Sequence, residues 1–149
     1  MNQLEQSVYE TSCIFCQIIN NQIAAKKLFN SDHGVCILDA FPAANGHLLI
    51  ISKNHFANLL LTPDQVLSDL IILAKKAAAT LQQAFPEIQG FNYVCNQEAV
   101  AGQSVFHTHI HVIPKYDVVH GYIFKHHHDQ TNKNDLDLVY RKILSVINQ

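Results

Sequence analysis

The chain predicts an α+β fold, an antiparallel sheet of about five strands with one long helix, a short N-terminal helix and a C-terminal helix. Three observations carry this. One segment, residues 62–84, has apolar residues at helical spacing over many turns. Short apolar and β-branched runs recur at 27–29, 35–39, 47–52 and 91–96, and again in the stretch Gly102–Pro114. The first two runs are joined by Asn30-Ser31-Asp32-His33-Gly34, a turn by composition that makes them a hairpin. Strands following one another in this way form an antiparallel meander.

Each element follows in order. Residues 1–11 are polar and form a disordered lead, leaving residues 12–149 as a single domain. Cys13-Ile14-Phe15-Cys16 opens an apolar-periodic segment with Ile18, Ile19 and Ile23, one or two helical turns. After the hairpin, Phe41-Pro42-Ala43-Ala44-Asn45-Gly46 breaks the pattern, and His47–Ser52 resumes as a buried strand. Thr62-Pro63-Asp64-Gln65 reads as a helix start, with Thr62 as N-cap, Pro63 at N1 and Gln65 closing a capping box. Val66, Leu70, Leu73, Ala77 and Leu81, flanked by Leu67, Ala74 and Ala78, form the apolar face that runs until Phe85-Pro86. That stripe is core or dimer contact. Phe91–Asn96 is a strand, and Asn96–Ser104 is a loop of small and polar residues. Cys36 and Cys95 fall in strand patterns as core thiols. Lys125-His126-His127-His128-Asp129 reads as a solvated loop, because adjacent histidines do not share a face. Asp135–Ile147 is a helix with Leu136, Val139, Tyr140, Ile143, Leu144 and Ile147 on one side, which closes the domain.

Composition limits the function. The net charge is −2 and Arg141 is the only arginine, so there is no basic nucleic-acid footprint. No signal-peptide pattern and no apolar run of membrane length is present, and the expected location is the cytoplasm. Four cysteines in such a chain are thiols or metal ligands. The Cys13/Cys16 pair is half of a zinc site or a redox pair. A zinc site needs two more ligands, for which ten histidines are available.

The chemistry concentrates in His107-Thr108-His109-Ile110-His111. Residues two apart share one face of a strand, so three imidazoles line one side. Each brings two polar nitrogens that need partners, so burying three together costs free energy unless a metal, a ligand or a reaction uses them. The preceding Gly102-Gln103-Ser104 allows close backbone approach to an anionic ligand. One residue-level reading is a mononuclear zinc hydrolase with His107, His109 and His111 on one metal, although no acidic residue is evident to support such a site. Another is a phosphate site formed by loop amides and imidazoles.

The string GQSVFHTHIHVIP resembles the signature of the histidine-triad (HIT) family, and the similarity extends from Cys13 onward, closest to its small bacterial, Hint-like branch. Thr108 replaces a residue that is usually apolar, and Ser52 a proline. The resemblance implies the HIT-like fold and a hydrolase or transferase acting at the α-phosphate of a purine nucleoside monophosphate conjugate, such as a phosphoramidate, aminoacyl-adenylate or dinucleotide. A binding module without turnover is the non-catalytic alternative. On the resemblance, His109 is the nucleophile that forms a nucleotidyl-histidine, a role suited to a neutral imidazole whose tautomer is fixed at its other nitrogen. His111 and Ser104 bind phosphate oxygens or the leaving group, and His47 supports the triad. Asn96, Gly102 and Gln103 complete the phosphate site, Asp39 accepts ribose hydroxyls, and Phe15, Ile18, Leu38 and Ala40 enclose the base. The same resemblance selects His55 and His107 to join Cys13 and Cys16 around a structural Zn²⁺, and implies a homodimer.

Overall fold

The computed structural model describes residues 8–125 and 136–147. The strands are β1 (Lys27–Asn30), β2 (Gly34–Leu38), β3 (Leu48–Ser52), β4 (Gly90–Val94) and β5 (His109–Lys115). The helices are α1 (Ile14–Ile19), α2 (Asp64–Ala84) and α3 (Leu136–Ile147). All strand pairs are antiparallel, in the order β1-β2-β3-β5-β4. The sheet is therefore not a simple meander, since β5 inserts between β3 and β4. This places the histidine strand in the interior of the sheet, paired on both sides.

Strand alternation divides the core. Cys36, Leu48, Ile50, Ile110 and Val112 face α2 and pack on Val66, Leu70, Leu73, Ala74, Ala77, Ala78 and Leu81. Val35, Ile37, Leu49 and Ile51 face the other way and pack on Cys13, Phe15, Cys16 and Ile18 around α1. Leu70 is fully buried, and truncating it to Ala removes about 2–5 kcal/mol. A side chain at residue 34 has no room: a Cβ there lies 2.7 Å from a Leu70 methyl, so Gly34 lets the hairpin press against α2. Asp69 of α2 completes that contact, accepting from Ser31 Oγ at 2.5 Å and from the His33 amide at 2.8 Å.

Several expectations are corrected. Thr62 does not cap α2, which begins at Asp64 without a side-chain cap. The Thr62 hydroxyl is buried, bonded to the Asn58 carbonyl (2.9 Å) and to Thr108 Oγ1 (2.7 Å). This also explains Thr108, a polar residue fully buried on the face opposite the histidines with its own partner. Cys36 is buried, but Cys95 is exposed, because it follows the edge strand β4. The α3 helix has no buried residue, so it does not close the core. Of the expected disordered lead, Val8 accepts from the His55 amide (2.8 Å) and Glu10 from the Cys13 amide (3.1 Å). Residues 1–7 and His126, His127 and His128 lie outside the described residues.

Candidate functional site

The regular strand begins at His109, and the three rings make three separate sets of contacts. His107, wholly buried just before β5, places Nε2 2.7 Å from the Ser52 carbonyl oxygen. That oxygen can only accept, so Nε2 carries the hydrogen and Nδ1 is a bare lone pair. The lone pair faces Cys13 Sγ at 3.3 Å and Cys16 Sγ at 3.6 Å. His55 Nδ1 lies 3.5 Å from Cys16 Sγ, and the Glu10 amide donates to the same sulfur. These four side chains offer ligand atoms all within 4.8 Å of one another, a donor set that can hold a metal ion.

His109 follows the same logic with the opposite nitrogen. Its Nδ1 is 2.6 Å from the His107 carbonyl oxygen and must donate, which leaves Nε2 unprotonated. The ring lines a cavity of about 760 Å³. His111 is set by a relay. The Ala43 amide donates to His47 Nδ1 (3.0 Å), so neutral His47 carries its hydrogen on Nε2 and donates to His111 Nδ1 (2.9 Å). His111 therefore keeps its own hydrogen on Nε2, available to a ligand in the cavity it lines.

Asp39 Oδ2 lies 3.5 Å from His47 Nε2 and 4.0 Å from His111 Nδ1. The triad thus has the acidic neighbour that was not evident in the sequence. Asp39, His47 and His111 are close enough to be considered for a metal. The tautomers argue otherwise: with Nδ1 of His47 accepting from an amide, its Nε2 has no lone pair to give. A single metal held by His107, His109 and His111 does not fit either, since their nitrogens point at thiols, a backbone carbonyl and His47 respectively.

Burial keeps these rings neutral. It pushes His107 and His111 down to about 4, the latter helped by the neighbouring His109 and His47. Burial also lowers His109, against the His107 carbonyl and the Asp39 charge, and lowers His47 against Asp39.

Of the residues named from the sequence, Phe15, Ile18, Leu38, Asp39, Ala40, Ser104, His109 and His111 all line the cavity. Asn96, Gly102 and Gln103 do not. The Gly102 amide donates to the Ala99 carbonyl, and Asn96 Nδ2 donates to the Gly102 carbonyl (3.3 Å). The buried Gln103 side chain holds the Ala57 and Val105 carbonyls and the Glu98 amide. These three shape the loop that presents Ser104. The sequence reading missed Ile14, Ile23, Ala24, Ala25, Lys26, Ile37, Phe41, Leu49 and Val105 in the wall. Leu49 and Ile37 had only the partial signal of strand alternation, since it takes the pairing register to put them on the face of His111. The segment Ile23–Lys26 precedes β1 and had none.

Residues 20–118 match the family pattern described as HIT domain. The chain is 40% identical over 133 residues to a HIT-like protein of Mycoplasma genitalium, covering 89% of this chain and 92% of that one. It is 34% identical over 136 residues to the adenosine 5′-monophosphoramidase of Saccharomyces cerevisiae, covering 91% and 83% respectively. The crystal structure of the histidine triad nucleotide-binding protein of Candida albicans superposes with a TM-score of 0.83 at 35% identity, covering 92% of this chain and 98% of that one. With His109 and His111 on the interior strand β5 beside a cavity, His107 just before that strand, and these similarities across most of its length, the chain belongs to the histidine-triad (HIT) family.

Proposed function

We propose that this protein is a nucleotide hydrolase or transferase that cleaves the α-phosphate linkage of purine nucleoside monophosphate conjugates through a nucleotidyl-His109 intermediate. The observation that carries the reading is the 2.6 Å bond from His109 Nδ1 to the His107 carbonyl, which leaves an unprotonated Nε2 in the wall of the cavity. The phosphoramidase name of the yeast relative supports the same class of reaction.

The nucleoside sits between the α1 side chains Phe15 and Ile18 and the end of β2 at Leu38 and Ala40, with the Asp39 carboxylate toward the ribose hydroxyls. The His109 Nε2 lone pair attacks the α-phosphorus, and the bond to the leaving group breaks. His111 Nε2–H and Ser104 donate to phosphate oxygens or to the departing group. Water then attacks phosphorus, frees His109 and releases the nucleoside monophosphate. Asn96, Gly102 and Gln103 act by shaping the loop behind Ser104, and His47 by fixing His111. The test is release of AMP from an adenosine phosphoramidate, expected in the wild type and abolished in His109→Ala. Near wild-type turnover in that variant would refute the scheme.

Cys13, Cys16, His55 and His107 would hold Zn²⁺ as a structural ion, since two thiolates and two imidazoles complete a tetrahedron with no position open for substrate. We further propose a single domain over residues 12–149, a cytoplasmic location and a symmetric homodimer. No helix among the described residues is long and apolar enough to cross a membrane. Ile71 and Ile72 on the outer face of α2 and Tyr93 on the edge strand β4 are all at least half exposed, as a pairing face requires. Solution mass should be twice that of the chain; a clean monomer at micromolar concentration would contradict the dimer.

A further inference from the structure

We infer that Phe15 is a positioning residue for His109, and that a metal at Cys13, Cys16, His55 and His107 sets the place of Phe15, so that metal and nucleotide bind with positive, reciprocal coupling. The inference rests on the nucleotide reading above and adds a regulatory link between its two halves.

The link between the two sites runs through α1. At six residues α1 is far too short to persist alone, and the Cys13 side chain does not cap its amides, facing His107 instead. Its position is therefore set entirely by what its two faces touch. Cys13 and Cys16 turn toward the metal group, while Ile14, Phe15 and Ile18 form part of the cavity wall. Phe15 joins the two sides. Its ring, 7% exposed, meets His107 edge-on with centroids 5.8 Å apart and His109 edge-on at 5.0 Å. One aromatic side chain thus touches a metal ligand, the proposed nucleophile and the space for the base.

Holding Cys13 and Cys16 on a metal fixes the turn that carries Phe15, and a nucleotide packed on Phe15 fixes the same turn from the other side. Each ligand then bears part of the ordering cost for the other, and linkage requires the two effects to be equal.

The experiment measures both directions on the full chain. AMP, the expected product, is titrated into metal-stripped and zinc-loaded protein, and zinc is titrated against a chromophoric chelator with and without AMP. Zinc should tighten AMP by a factor within about 5–150, and AMP should tighten zinc by the same factor. If the stripped protein does not fold, the rate at which a strong chelator removes zinc from the loaded protein replaces the zinc titration, and AMP should slow it. Phe15→Leu should still bind both ligands while the factor falls toward one, and its kcat should fall more than its KM rises. A factor of one in the wild type, or an undiminished factor in Phe15→Leu, overturns the coupling. Failure of AMP to bind the zinc-loaded wild type would instead overturn the nucleotide reading, and failure of zinc to bind would overturn the metal assignment, each taking this inference with it.

Discussion

His47 Nε2 and His111 Nδ1 lie 2.9 Å apart with a single hydrogen between them, and the Ala43 amide, donating to His47 Nδ1, determines that the hydrogen belongs to His47. A backbone group thereby chooses which nitrogen of His111 faces the cavity as a donor. Removing the intermediary should matter more than its bulk would suggest. His47→Ala should lower kcat about 10- to 100-fold, the usual cost of losing a group that orients an active imidazole. His47→Gln can accept from Ala43 through Oε1 and donate through Nε2, so it should stay within a few-fold of wild type. Turnover of both variants, with thermal denaturation as a fold control, checks this; a Gln variant as impaired as Ala would show that the relay is unimportant.

The same burial predicts an unusual pH profile. His111 titrates at about 4, and His109 and His47 are lowered from the ordinary histidine value of about 6.5. The reaction needs His109 neutral, so kcat/KM should stay level down through pH 6.5, with its acid limb displaced below the ordinary histidine value. Stability has the same sign. Between pH 6.5 and 4 an unfolded chain takes up a proton on His111 that the folded one does not, and His109 and His47 act in the same direction, so folding stability is retained above 6.5 and is lost as the pH falls. An acid limb centred at 6.5 would mean that the histidines titrate as they do in water.

Zinc content and stability should fall together in Cys16→Ser. Cys16 is buried and accepts the Glu10 amide, and its sulfur is within 3.6 Å of both His55 Nδ1 and His107 Nδ1, so a hydroxyl removes the ligand at the centre of the group. The measurement is metal per chain alongside the melting temperature. One full equivalent of zinc retained in the variant would reject these ligands.

The sequence revealed those features that depend on short-range periodicity. Strand alternation placed the histidines on one side and Thr108 on the other, and helical spacing identified the buried face of α2, Val66 to Leu81. Long-range pairing was not readable. Nothing local indicates that β5 inserts between β3 and β4, which is what carries Leu49 opposite His111 and brings Asp39 and His47 to the triad. Thr62 shows a local rule overridden by packing: its hydroxyl suits a helix cap, but burial beside Thr108 gave it a partner elsewhere. Cys95 fitted a strand pattern, yet pattern alone does not distinguish an edge strand from a central one.

The last prediction concerns the covalent step, and it depends on which nitrogen is free. His107 directs Nδ1 at the cysteine sulfurs and donates from Nε2 to Ser52, so neither nitrogen is available to phosphorus. His111 presents a hydrogen rather than a lone pair. Only His109, with Nδ1 donating to the His107 carbonyl, presents an unprotonated nitrogen to the cavity. Incubation with an adenosine phosphoramidate followed by a quench in mild base, which spares the acid-labile phosphorus–nitrogen bond, should trap one adenylyl group per site on His109. His109→Ala should keep its fold and bind AMP but form no adduct. His111→Ala should form the adduct and break it down more slowly in both steps, because it loses a donor and not the bond-forming atom. An adduct mapped to His107 or His111 would reverse the roles assigned here, since it would require the hydrogen-bonded tautomers of the folded site to differ from those that its backbone carbonyls dictate.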